Sequence, residues 1–163
     1  MTASTNSATR SSERNVTSAG HRTARRAIEI LLAHDERYHL PTAAERKALL
    51  VGFAMAGKTL YGAAYDLIRR DMPIDLTDST SIATSIDAIT ICEIKSTNQS
   101  SIGPDLKGYM FNITAAEHLT AQSVGPRYRF LFVSTLTGEH CEMSLNEIFS
   151  RARGMYPAWH IRF

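Results

Sequence analysis

With 163 residues, 44% of them apolar and 21% charged, the chain can bury one hydrophobic core but not two comfortable domains. It has no apolar run of about 18 residues or more, and its start, MTASTNSATRSSERNVTSAGHR, has no hydrophobic stretch behind its charges. Neither a membrane span nor a secretory signal is therefore expected, and the expectation is a cytoplasmic protein. The net charge is only +2, yet Arg10, Arg14, Arg22, Arg25 and Arg26 face Glu13 alone in the first stretch of chain.

Residues 1–22 read as a basic, Ser/Thr-rich arm, either solvated or touching nucleic acid. One domain is expected over 23–163, with a helical part at 23–71 and the core of the fold at 72–163. Ala27, Ile30, Leu31 and His34 recur at helical spacing ahead of Pro41. Thr42 with Glu45 makes a capping box, whose reciprocal bonds satisfy orphan N–H groups and set a helix start near Ala43. Leu49, Phe53, Ala56, Leu60, Ala64 and Leu67 keep the 3.6 period towards Pro73, so the spacing predicts one long helix, bent near Gly57. Strands are expected in IDLTDSTS, DAITICEIKST and GYMFNI. A second box, Thr114 with Glu117, opens the helix AAEHLTAQS. RYRFLFVSTLTGEHCEMSL reads as two strands joined at Thr137-Gly138. A third box, Ser144 with Glu147, opens LNEIFSRARG, and AWHIRF offers an edge strand. Cys92 and Cys141 have no metal-type spacing and read as reduced thiols.

GFAMAGKT, residues 52–59, matches the phosphate-loop pattern G-x-x-x-x-G-K-[ST] letter for letter. Such a loop needs a buried strand before its first glycine and a helix starting at Lys-Thr, so that backbone N–H groups and the helix dipole face the phosphates. The capping box at Thr42 leaves no room for a strand, and Phe53 and Met55 fit the apolar face of a helix. The stretch is therefore expected to be helical, and nucleotide binding through Gly52–Thr59 stands as the alternative.

ICEIKST sets Glu93 and Lys95 two apart on a strand, so both project from one face about 6 to 7 Å apart. Antiparallel pairing with the preceding strand is expected to bring Asp75 or Asp78 beside Glu93. Two carboxylates on one point suit a hard divalent cation, Mg²⁺ or Mn²⁺, and a neighbouring lysine can position the attacking water. Metal-assisted hydrolysis of a phosphodiester fits that set. Arg127 and Arg129, alternating with Phe130 and Phe132, form either a row of phosphate contacts on DNA or the wet face of a strand. Gln122, at the end of the helix that follows, either approaches the site or faces solvent.

TDSTS followed by ICEIKST, FNITAAEHLTAQS and RYRFLFV resembles the PD-(D/E)xK, or restriction-endonuclease-like, nuclease superfamily over roughly residues 74–163. The pattern is similar to the branch represented by the C-terminal domain of the plant NO VEIN protein. The resemblance implies an α/β fold, a mixed central sheet flanked by helices, here with a helical N-terminal part. It also implies that Asp78, with Ser81 three residues on, is the first acid, that Asp78 and Glu93 hold the metal, and that Lys95 positions the water. Asp75, in Pro73-Ile-Asp75, is the second choice for the first acid. Cys92 stands where an aliphatic residue is usual, and no Pro precedes Asp78. The activity implied is a Mg²⁺-dependent (or Mn²⁺-dependent) endonuclease on DNA, with RNA as the alternative, in a restriction or defence role and as a homodimer. A non-catalytic module of the same fold, binding nucleic acid or protein, is the remaining alternative.

Overall fold

The computed structural model describes residues 22–103, 106 and 108–156. Most of the basic arm, and the edge strand expected at AWHIRF, lie outside them. The fold is α/β, with a five-stranded mixed sheet flanked by helices, as expected. Helix α1 covers 22–34, and β1 (Tyr38–His39) follows after a turn. Helix α2 (Ala43–Met55) starts at the predicted capping box, which is fully formed. Helix α3 (Ser79–Thr84) and helix α4 (Ala115–Val124) flank β3 (Ile89–Thr97) in sequence. Strand β2 (Leu67–Arg70) precedes them, and β4 (Tyr128–Ser134), β5 (His140–Met143) and α5 (Leu145–Arg151) complete the chain order.

The strands lie in the order β1-β2-β3-β4-β5. Every pair is antiparallel except β3 and β4, which run parallel because α4 carries the chain back across the sheet. Alternation along the strands makes two cores. Ile68, Ile91, Tyr128, Phe130 and Phe132 meet Leu49 and Phe53 of α2, Ile82 of α3, Val124 of α4 and Ile148 of α5. Leu67, Cys92, Ile94, Leu131 and Val133 meet Ala27 and Leu31 of α1 on the other face. No described helix is long and apolar enough to cross a membrane.

The long helix predicted from Ala43 towards Pro73 is corrected: α2 stops at Met55. Gly57, at φ +71°, donates its N–H to the Ala54 carbonyl, and Lys58 donates to that of Phe53 at 2.8 Å. This is a Schellman C-cap, which needs the left-handed conformation that glycine adopts freely. Leu60 and Ala64 are buried in the following turns and Leu67 in β2, so their helical spacing reflects burial without a helix. β1 and β2 therefore belong to the sheet, although they fall in what the sequence presents as a helical part ending at residue 71. Where IDLTDSTS suggests a strand, Ser79–Thr84 is α3, and GYMFNI is irregular.

Gly52 has its own packing role: a Cβ there would lie 2.5 Å from Ile82 Cγ2 and 2.9 Å from the Ser79 carbonyl. α2 and α3 touch closely only because that atom is missing. Helix therefore runs into the Gly-Lys pair instead of out of it, and Lys58 sits at the carbonyl end of α2, the end whose dipole disfavours a phosphate. The phosphate-loop alternative lacks its geometry.

Candidate functional site

Register on β3 sets Glu93 opposite Phe130 and Lys95 opposite Phe132, so both project towards α2 and α4, as their spacing predicts. Cys92 points into the opposite core. Glu93 is only 8% exposed. A carboxylate that buried needs partners, and Lys95 Nζ supplies one, 3.1 Å from Glu93 Oε1. The same ammonium lies 2.8 Å from Glu117 Oε2. Glu117 is the third residue of α4, and that same oxygen accepts the Thr114 N–H in the capping box. The cap that starts α4 thus also fixes the lysine's second anion.

The carboxyl that the structure sets beside Glu93 is that of Asp66, which the sequence reading missed. Leu67 pairs with Cys92, so the residue just before β2 falls opposite Glu93, on the face of Ile68. Asp66 N donates to the Cys92 carbonyl, and its Oδ2 accepts the Ile94 N–H, both at 2.9 Å. The segment delivering it is held from three sides. From α2, Arg46 donates to the carbonyls of Gly62, Tyr65 and Asp66, with its guanidinium 4.6 Å from the Tyr65 ring centre. From α4, Ser123 and Thr120 hydroxyls accept the N–H groups of Thr59 and Tyr61. From β4, the buried Tyr128 hydroxyl donates to the Ala64 carbonyl. The only sequence signal for Asp66 is an acid set among apolar residues in AAYDLI.

Asp75 and Asp78 are not brought to Glu93, contrary to the strand pairing expected from the sequence. Arg70 pairs with Ile89, so the chain leaves β2 at the far end of β3, about 13 Å along the strand from Glu93. Both aspartates are exposed and committed locally. Asp78 caps α3, accepting N–H groups of Thr80 and Ser81 at 3.0 Å, which explains the Asp-x-x-Ser spacing as a helix start. Asp75 accepts from the Thr77 hydroxyl and N–H, which holds its carboxyl below the usual range.

The outlying candidates also separate. Arg129 pairs in register with Cys92 and so lies on the opposite face from Glu93, bonded to Glu147 at 2.9 Å. Arg127 is ion-paired to Asp71 at 2.6 Å. Gln122 is exposed, about 140° around α4 from Glu117, and does not support the site.

The Lys95 ammonium lies between Glu93 and Glu117, and Asp66 is a third carboxyl within its electrostatic reach. Burial, then the charge of Asp66, then that of Glu117 push Glu93 up to about 8 against the pull of Lys95. Burial also raises Asp66, against the Ile94 N–H and the charges of Lys95 and Arg46. Asp66 Oδ1 and Glu93 Oε2 have no hydrogen bond among the described residues. Two adjacent, under-compensated carboxylates fit a hard divalent cation, which takes one or two carboxylates and completes its shell with water and phosphate oxygens. No group of three or more His, Cys, Asp or Glu that could hold a metal ion occurs among the described residues. Beside Lys95 opens a cleft of about 240 Å³, lined by Lys95–Thr97, Gln99 and Tyr109–Phe111. No family model, curated protein or solved structure matches the chain.

Proposed function

We propose that this chain is a metal-dependent nuclease of the PD-(D/E)xK type, with Asp66 in the place first given to Asp78. The observation that carries the reading is one cluster at β3: Asp66, just before β2, opposite the buried Glu93, with the half-buried Lys95 bonded to Glu93 from the same face. Asp66 and Glu93 would hold Mg²⁺ or Mn²⁺. The bound ion supplies a water of lowered pKa and draws charge from the phosphate. Glu93 must give up its proton to bind, because burial beside Asp66 favours the neutral acid. Lys95 orients the attacking water and offsets charge growing on the phosphate oxygens. Glu117 keeps the ammonium in place when the cation competes for Glu93. DNA is the proposed substrate, with RNA the alternative, and a homodimer would present two such sites to two strands. A restriction or defence role and a cytoplasmic location belong to the same proposal.

The test is cleavage of plasmid and of labelled oligonucleotides with Mg²⁺ or Mn²⁺ by the wild type and by Lys95→Ala, Asp66→Asn, Asp78→Asn and Lys58→Ala. Cleavage lost at Lys95 and Asp66 and kept at Asp78 and Lys58 supports the reading. Cleavage indifferent to Lys95→Ala, or lost at Asp78 and kept at Asp66, overturns it. Nucleic-acid binding without cleavage under any metal would identify a non-catalytic module.

A further inference from the structure

Apart from Lys95, the lining of the cleft beside it has no part in the chemistry above, and its walls have a definite character. One wall is aromatic and fixed. Tyr109 O–H donates to the Lys95 carbonyl at 2.9 Å, and its ring meets Phe132 edge-on at 5.7 Å. Phe111 packs on the same buried Phe132 at 4.8 Å. Between them Met110 stands at the rim, 91% exposed, where its flexible thioether can close over a flat ligand. The rest of the lining is polar, and the backbone of Gln99 is held in place. The Gln99 carbonyl accepts the Ser134 hydroxyl and its N–H donates to Thr97 Oγ1, which leaves the Gln99 amide exposed at the cleft. The lining contains one cation, Lys95, and no carboxylate.

We infer that this cleft binds one unpaired nucleobase of the substrate, next to the phosphate that is cut. The inference rests on the nuclease reading, since it is Lys95 that ties the cleft to the reacting phosphate. At about 240 Å³ the space suits a single base with part of its sugar, not a base pair. Aromatic and amide walls match a ring that stacks on its face and hydrogen-bonds at its edge. A base inside a duplex reaches such a cleft only after unstacking, so the substrate is single-stranded, frayed or flipped at the cut.

The experiment compares wild type with Gln99→Ala, Met110→Ala and Phe111→Leu, on one oligonucleotide presented single-stranded, as a duplex, and with a single abasic nucleotide walked past the cleavage position. Thermal melting checks that each variant folds; Gln99 and Met110 are exposed, so those two variants keep the test open if Phe111→Leu does not fold. Expected are single-strand cleavage faster than duplex cleavage by about tenfold or more, a similar loss when one abasic position meets the cleft, and weakening of both effects in the variants. Equal rates on both forms, no sensitive abasic position, or variants identical to wild type overturn the inference while metal-dependent cleavage still supports the nuclease. If wild type cleaves nothing, the nuclease reading falls; single-strand binding without metal, weakened in the variants, would still support base binding, and its absence would refute it.

Discussion

Asp66→Asn separates the cost of the site from its use. The substitution removes a negative charge from beside Glu93 and keeps an oxygen that can accept the Ile94 N–H. A like charge at about 4 to 6 Å raises a carboxyl by about 1 to 3 pKa units, each worth about 1.36 kcal/mol. Some of that gain is returned, because Asp66 also attracts Lys95 and Arg46. The upward shifts of both Asp66 and Glu93 show that repulsion and burial outweigh the attraction. A net gain of about 1 to 2 kcal/mol remains, or about 2 to 8 °C for a chain of this size. Its pH dependence follows from linkage. Glu93 has its folded pKa, about 8, above its ordinary 4.5, so its stabilising contribution is full below 4.5 and is lost as pH rises through 8. The variant's advantage should appear at pH 8 with a chelator present and fade in acid. With saturating Mg²⁺ the order should reverse, because only the wild type gains binding energy. Melting curves in the four conditions decide it. A variant less stable than wild type at pH 8 in chelator, or one with an undiminished Mg²⁺-induced rise, would refute the reasoning.

Three further outcomes are expected. Binding of Mg²⁺ near neutral pH should release up to one proton, that of Glu93, and apparent affinity should rise with pH until about 8; calorimetry in buffers of different ionisation enthalpy measures the release. Glu117→Gln preserves the capping box, which accepts Gln at that position, but removes one of the two carboxylate charges that hold Lys95, so cleavage should fall about 10- to 100-fold with nucleic-acid affinity unchanged, as steady-state kinetics would show. Gly52→Ala drives a methyl into Ile82 and the Ser79 carbonyl and should cost about 1 to 3 kcal/mol by denaturant titration, although alanine is the better helix former.

What could be read from the sequence was whatever local chemistry determines. All three capping boxes start helices where expected, because the box is satisfied within four residues. Glu93 and Lys95 share a face because strand alternation needs no tertiary information. The carboxyl facing Glu93 could not be found in this way, since its place depends on which strand pairs with β3. Asp78 has the more suggestive neighbours, but Asp-Ser-Thr-Ser is equally the sequence of a helix N-cap, and here it serves as one. Asp66 was hidden because β2 is only four residues long and its apolar residues continue the 3.6 period of α2. Periodicity cannot tell a continued helix from a tight turn and a short buried strand when glycine at the turn is also tolerated in a helix.

The phosphate-loop look-alike and the site are linked through the same backbone. Gly52 brings α3 against α2, and Gly57 stops α2 and turns the chain, so that residues 59–66 run past α4 towards the sheet. That run contains two bends and a short strand beyond it, too little regular structure to hold Asp66 in register by ladder bonds alone. Its carbonyls and N–H groups are satisfied by Arg46, Thr120, Ser123 and Tyr128, one from α2, two from α4 and one from β4. These are the same elements that flank Glu93 and Lys95. A carboxylate forced beside another buried carboxylate is repelled, and an unpinned loop would relax by moving Asp66 into solvent. The pins hold the pair together, so the preorganisation that suits a divalent cation is a property of the whole α2–β2–β3–α4 assembly and not of the E-x-K strand alone.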